Sequence, residues 1–216
     1  SFGKFGCFSF YPTKILGAYG DGGFILTNDY NLYLKAKRIR FYGIETESKK
    51  NKFINKYYSN ENGVNSRLDS IQAAVLRAKL PHLDTYNAKR QDAARQYTAA
   101  LKDHKYIDVP KGKCDGVDTI CDTCDCHVFH QYTIKITNGR RDELVKHLNE
   151  QGIPCGVYYP IPLHKQKAYQ DDRYNEADFP VTNQLIQEVM SLPMHTELEN
   201  DQIEFITTTI KEFLND

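Results

Sequence analysis

The residues with the clearest capacity for chemistry are Lys14 and Ser9, in the stretch SFYPTKILGAYGDGG over positions 9–23. A lysine in an apolar, partly desolvated setting gives up its proton more readily, because burial disfavours the ammonium. The neutral amine is then a nucleophile that can condense with a carbonyl. Ser9, five residues earlier, offers a hydroxyl to a phosphate oxygen, and Gly17, Gly20, Gly22 and Gly23 let the backbone approach a ligand closely. An aldehyde cofactor carrying a phosphate, pyridoxal phosphate (PLP), would use all three features. On spacing alone, a turn with one exposed lysine is the favoured reading, since single lysines near glycines are common.

A second group of reactive side chains is Cys114, Cys121, Cys124 and Cys126, spaced C-x6-C-x2-C-x-C and followed by His127. Two readings stand side by side. A structural zinc site uses such ligands, although one residue between Cys124 and Cys126 is tight for tetrahedral geometry. Free thiols in an inserted loop are the other reading. Cys7 and Cys155 stand apart, and with no secretory signal read from the sequence, reduced thiols or a metal are favoured over disulfides.

These residues need a scaffold. The 216-residue chain is 40% hydrophobic and 26% charged, which suits a folded chain of one large or two small domains. Lys plus Arg and Asp plus Glu both number 28, so no basic excess points to nucleic acid or an anionic membrane. No apolar run approaches the roughly 20 residues a membrane helix needs.

The pattern predicts strands at 5–10 and 23–27 joined through the turn at 20–23, then a helix over 29–40. Residues 41–65, rich in Asn, Lys and Tyr, form a long loop. Ser66 is expected to open a helix with Asp69 three residues on, a weak capping box, and Leu68, Ile71, Val75 and Leu83 as its stripe. Pro81 marks a junction to a second helix reaching about 102, with Tyr86, Ala93, Tyr97 and Leu101 on its apolar face. An α+β pattern follows: strands at 106–109 and 128–136, a helix over 140–150 stopped by Gly152, a strand at 155–159, and helices over 180–189 and 199–214. The last carries Ile203, Ile206, Ile210 and Phe213 in register.

Four ordered stretches carry a resemblance. They are FSFYPTKILGAYGDGGFILTND, GVNSRLDSIQAAVLRAKL (63–80), GVYYPIPLHKQKAY (156–169) and FPVTNQLIQEVMSLPMH (179–195). Together they resemble the DegT/DnrJ/EryC1/StrS family of PLP-dependent sugar aminotransferases over nearly the whole chain. The resemblance implies an α/β fold of PLP-dependent transferase fold type I. Residues 1–80 would be the C-terminal part of the large PLP-binding domain, 81–103 a connecting helix, and 104–216 the small α+β domain.

The resemblance also implies roles. Lys14 matches the lysine that holds PLP as an imine and then shuttles the proton. Ser9 matches a phosphate-binding serine. Asn65 matches an asparagine reaching the PLP phosphate of the neighbouring subunit, so Ser9, Lys14 and Asn65 form the implied cofactor set. Arg67 matches a residue near the substrate across the same homodimer interface, and Tyr159 and His164 lie in the segment bordering the sugar-nucleotide site. Many members have His where this chain has Tyr158. The implied partners are a nucleotide-sugar substrate, an amino-acid donor, with glutamate expected, and a second copy in a cytoplasmic homodimer.

RFYGIE (40–45) with KYYSNENGVNSRLD (56–69) resembles members acting on 3-keto-6-deoxyhexoses. A 4-keto-sugar aminotransferase of the same family is the alternative, and an inactive fragment serving as a binding or oligomerisation module is another. Family members carry an upstream half that supplies a carboxylate for the pyridinium nitrogen, an aromatic stacked on the ring and amides for the phosphate. The chain alone is therefore expected to be inactive.

Overall fold

Gly6–Ser9 (β1) and Gly23–Leu26 (β2) pair antiparallel, with Gly6 opposite Leu26 and Ser9 opposite Gly23. The hairpin register needs a glycine at 23, since a methyl group there would sit 2.5 Å from the Phe8 carbonyl oxygen. The computed structural model describes residues 3–45, 57–111 and 127–215. The chain divides at Leu83/Asp84 into two compact units.

In the first unit, Tyr30–Ile39 (α1) is capped by Asp29, whose carboxylate accepts from the Asn31 and Leu32 N–H groups at 2.8 and 3.1 Å. Ser70–Lys79 (α2) is capped by Asp69, which accepts from Ile71 N–H at 2.8 Å. The helix therefore starts four residues after Ser66: the expected capping-box aspartate is itself the cap. A 3₁₀ turn over Leu80–His82 absorbs Pro81. Among the described residues of this unit, the buried hydrophobics are Ala18 and Leu76. The expected stripe is covered only in part: Leu68 and Ile71 are exposed, the latter at 71%, while Val75 and Leu83 are half-buried. Phe8 and Phe24 stack face to face on the hairpin, with centroids 4.4 Å apart, yet both remain exposed.

The second unit holds the core. Ile107–Asp108 (β3), Tyr132–Ile136 (β4) and Val189–Leu192 (β5) form an antiparallel sheet in that order. Tyr132, Ile134 and Ile136 alternate inward along β4. They meet Ala93, Tyr97 and Leu101 of Leu83–Leu101 (α3), Leu144 and Leu148 of Arg141–Glu150 (α4), and Ile203, Ile206 and Ile210 of Asn200–Asn215 (α6). Pro180–Glu188 (α5) leads directly into β5. Gly152 ends the α4 segment with φ +75°, the left-handed stop its sequence position implied.

Two strands depart from the sequence pattern. The 128–136 strand begins only at Tyr132, because Phe129 adopts a positive φ of 45° and the carbonyls of Phe129 and His130 are taken by Arg90. The 155–159 segment is reduced to one bridge, Gly156 with Ser191, whose N–H and C=O groups exchange bonds at 3.2 and 2.8 Å.

Candidate functional site

Between β1 and β2 the chain makes a closed loop with Lys14 near its apex. Ala18 N–H donates to the Phe10 carbonyl at 2.8 Å, which shuts the neck, and Lys14 N–H donates to the Tyr11 carbonyl at 2.8 Å, which sets an inner turn. Ala18 is buried below the neck. Gly17 lies against the start of the loop so closely that a methyl group would stand 2.5 Å from the Pro12 carbonyl oxygen. The Lys14 side chain is exposed, so the desolvation expected from the flanking aromatics is not supplied by the described residues: Tyr11 and Tyr19 are exposed themselves.

Ser9 closes the hairpin at the base of this loop and accepts from Tyr11 N–H at 3.2 Å, which leaves the hydroxyl hydrogen to donate outward. An amine that can bond an aldehyde carbon and a hydroxyl that can donate to phosphate thus sit at the apex and base of one constrained loop. That donor set fits PLP.

Asn65 and Arg67 are brought together. Arg67 Nε donates to Asn65 Oδ1 at 3.1 Å, and the guanidinium lies 5.5 Å from the centroid of the Phe41 ring. Phe41 forms a bridge with Asn65, while Ser66 N–H donates to the Arg40 carbonyl at 3.0 Å. The turn beneath them requires glycine at 43, which has φ +71° and where a methyl group would lie 1.8 Å from the Glu61 carbonyl oxygen. Arg38 fixes the same turn through Glu61 at 2.8 Å and Glu45 at 3.4 Å, and these carboxylates raise its guanidinium above the ordinary value.

In the second unit, Tyr159 is 76% exposed and follows Tyr158 through a cis peptide bond. His164 is placed differently from a solvent-facing ligand. Its ring stacks on Phe179 with centroids 4.4 Å apart, and its Nε2 is buried without a hydrogen-bond partner among the described residues. A cleft of about 260 Å³ is lined by His130, Cys155, Tyr158 and Met194, among others. Burial pushes the Cys155 thiol up from its ordinary value.

Sequence reasoning missed this cleft, the buried Arg90, and the two α2 residues that grip the Lys14 loop, Gln72 and Lys79. Their only sequence signal was spacing: Gln72 and Lys79 are seven residues apart and share a helix face. Among the described residues no group of three or more His, Cys, Asp or Glu is arranged to hold a metal, and no helix is long and apolar enough to cross a membrane. Cys114, Cys121, Cys124 and Cys126 lie outside the described residues.

The chain matches the DegT/DnrJ/EryC1/StrS aminotransferase family over residues 1–211 and belongs to it. The aminotransferases of this family are PLP-dependent, and the fold is PLP-dependent transferase fold type I. A pleiotropic regulatory protein of Geobacillus stearothermophilus is 42% identical over 208 residues, covering 95% of this chain and 50% of that protein. A UDP-N-acetyl-3-dehydro-alpha-D-glucosamine 3-aminotransferase of Acidithiobacillus ferrooxidans is 39% identical over 217 residues, covering 100% of this chain and 52% of that protein. The crystal structure of a DegT DnrJ EryC1 StrS aminotransferase from Brucella abortus superposes with a TM-score of 0.82 at 37% identity, covering 99% of this chain and 52% of that one. The chain thus spans about half the length of the relatives it matches.

Proposed function

We propose that the protein carrying this chain is a PLP-dependent aminotransferase. It moves an amino group from an amino acid, glutamate in this reading, to the keto carbon of a nucleotide-linked sugar. The observation that carries the reading is Lys14 presented at the apex of a loop closed at its neck, within a family of PLP-dependent aminotransferases.

PLP when bound would supply an aldehyde carbon and a ring that draws electrons from it. Lys14 Nζ would hold that carbon and be displaced by the amino donor. The freed amine would then take the proton from the donor α-carbon and return it to the former aldehyde carbon, acting as base and then acid. In the second half-reaction the same amine would move the proton the other way while the keto-sugar is aminated. Ser9 would hold the phosphate from one subunit and Asn65 from the neighbour, which makes the unit of function a homodimer. Arg67 and Tyr159 would contact the sugar nucleotide, and His164, stacked on Phe179, would hold the segment that borders it.

In this reading residues 1–80 complete a larger cofactor domain, and the exposed Phe8, Phe24 and Ile25 on the hairpin are surface for the rest of that domain to cover. For the sugar, we read a 3-keto-6-deoxyhexose. The RFYGIE and KYYSNENGVNSRLD stretches support it, and a relative named for amination at C3 supports the position on the ring.

The test is direct. Borohydride treatment of the complete PLP-loaded protein should fix the cofactor to the peptide containing Lys14, and Lys14→Ala should remove both the label and the transamination. Turnover should be faster on 3-keto than on 4-keto nucleotide sugars. Label on another lysine, or full activity in Lys14→Ala, overturns the reading; preference for a 4-keto sugar overturns only its C3 part.

A further inference from the structure

The Lys14 loop is held from outside by one helix. Lys79 Nζ donates to the Gly17 carbonyl at 2.7 Å, and Gln72 Oε1 accepts from Tyr19 N–H at 2.7 Å. The two residues are seven apart on α2, so they project from the same face about two turns apart. The Lys79 ammonium also lies 4.8 Å from the centroid of the Tyr19 ring, and a methyl group at Gly20 would stand 3.2 Å from Gln72 Nε2. Lys79 and Gln72 are both half-buried.

Gly17 and Tyr19 bracket Ala18, whose own N–H closes the neck of the loop. Three consecutive residues are thereby pinned, the middle one by backbone and the outer two by side chains from a segment more than fifty residues later. Neither Gly17 C=O nor Tyr19 N–H belongs to the β1–β2 ladder. Without α2, the stretch that returns from Lys14 to β2 would keep two backbone ties, Ala18 N–H to the Phe10 carbonyl and Phe10 N–H to the Gly22 carbonyl, both at 2.8 Å, and nothing would hold Gly17 and Tyr19 on either side of Ala18.

We propose that Lys79 and Gln72 are positioning residues for Lys14. They clamp residues 17–19 on α2 so that the amine stays where it must exchange a proton. This rests on the reading of Lys14 given above. Proton transfer demands placement to a fraction of an ångström, so a loosened loop costs turnover more than binding. A cation on a carbonyl is also stronger than a neutral bond, which suits Lys79 to the side nearer Lys14.

The experiment compares wild type with Lys79→Met, Gln72→Leu and Lys79→Arg. In the complete protein without cofactor, backbone hydrogen exchange is followed at Ala18 and Tyr19. Both apolar variants should speed exchange there about tenfold or more while β4 amides of the second unit stay as protected as in wild type. In the complete PLP-loaded protein, the same variants should lower kcat about tenfold with the KM for keto-sugar unchanged, and Lys79→Arg should recover much of the loss.

Unchanged exchange at Ala18 and Tyr19 overturns the clamp. Faster exchange with unchanged kcat overturns its role in positioning Lys14, as does a change confined to KM. Full activity in Lys14→Ala would remove the role together with the reading it rests on, and would be told apart because the exchange result on the cofactor-free protein is independent of it.

Discussion

The phenol rings of Tyr97 and Tyr132 stack in the core of the second unit with centroids 5.1 Å apart, and both side chains are fully buried. Tyr97 hydroxyl donates to the Pro193 carbonyl at 3.0 Å, and Tyr132 hydroxyl shares a 2.7 Å bond with Thr98. The pair ties α3, β4 and the chain following β5 into one block. Burial raises both phenols: Tyr97 well above its ordinary value, and Tyr132 up to about 12 despite the opposing bond from Thr98.

A raised phenol means that the folded state favours the neutral form. Its contribution to stability is complete below the unfolded value of about 10 and is lost as pH rises through that value and the folded one. The denaturant midpoint of the second unit should therefore fall from about pH 10 upward, and fall less steeply in Tyr132→Phe. A variant whose midpoint tracks wild type throughout that range would contradict the assignment.

Arg90 offers a separate test. Its buried guanidinium donates from Nη1 to the carbonyls of Phe129, His130 and Met194 at 3.1, 3.3 and 3.1 Å, with no carboxylate among these partners. Burial lowers its pKa from the ordinary value. Arg90→Met strands these carbonyls and should destabilise the chain by about 2–4 kcal/mol in chemical denaturation. Arg90→Lys should recover little, since a single ammonium does not reproduce the guanidinium fork. A loss within about 0.5 kcal/mol for Arg90→Met would show that water replaces the side chain.

Much of the fold was legible because its signals are local. The helix expected over 29–40 is α1, Gly152 gave the end of α4, Pro81 gave the break before α3, and Ile203, Ile206 and Ile210 gave the buried face of α6. What escaped depends on distant partners. The strand at 128–136 lost its first half to Arg90, thirty-nine residues away from Phe129 in sequence. Val189 reads as the end of the 180–189 helix and instead opens β5, because Val189–Leu192, to which the pattern assigns no element beyond Val189, pairs with β4. The site divides the same way. Lys14 and Ser9 are candidates by residue type and by the family resemblance of the stretch around them, whereas Gln72 and Lys79 gain meaning only when α2 is folded beside the loop.

The start of α2 separates two nearby residues that look equivalent in sequence. Asp69 accepts from Ile71 N–H at 2.8 Å, whereas the Ser66 backbone is engaged by the Arg40 carbonyl. Asp69→Ala should cost about 1 kcal/mol by loss of the cap, and Ser66→Ala a few tenths at most. Equal losses, or a larger loss at Ser66, measured by thermal unfolding, would place the helix start where the capping-box pattern first put it.

Gly17 is the point at which loop geometry and chemistry meet. A methyl group there would stand 2.5 Å from the Pro12 carbonyl oxygen and 2.9 Å from that of Tyr11, and both are backbone atoms that no rotamer change can move. Gly17→Ala must therefore open the loop, which strains the Ala18–Phe10 bond at the neck and the Gly17 carbonyl bond to Lys79. Gly139 provides the comparison: its φ is +79° but a methyl group there meets nothing within 4 Å, so Gly139→Ala carries only the left-handed strain of about 1 kcal/mol. In the complete protein, Gly17→Ala should reduce borohydride-fixed PLP on the Lys14 peptide about tenfold, and Gly139→Ala should leave it at the wild-type level. Hydrogen exchange of the β3–β5 sheet should stay unchanged in Gly17→Ala, which separates a misplaced lysine from a general loss of fold. Wild-type labelling in Gly17→Ala would mean that Lys14 reaches the cofactor without the closed loop.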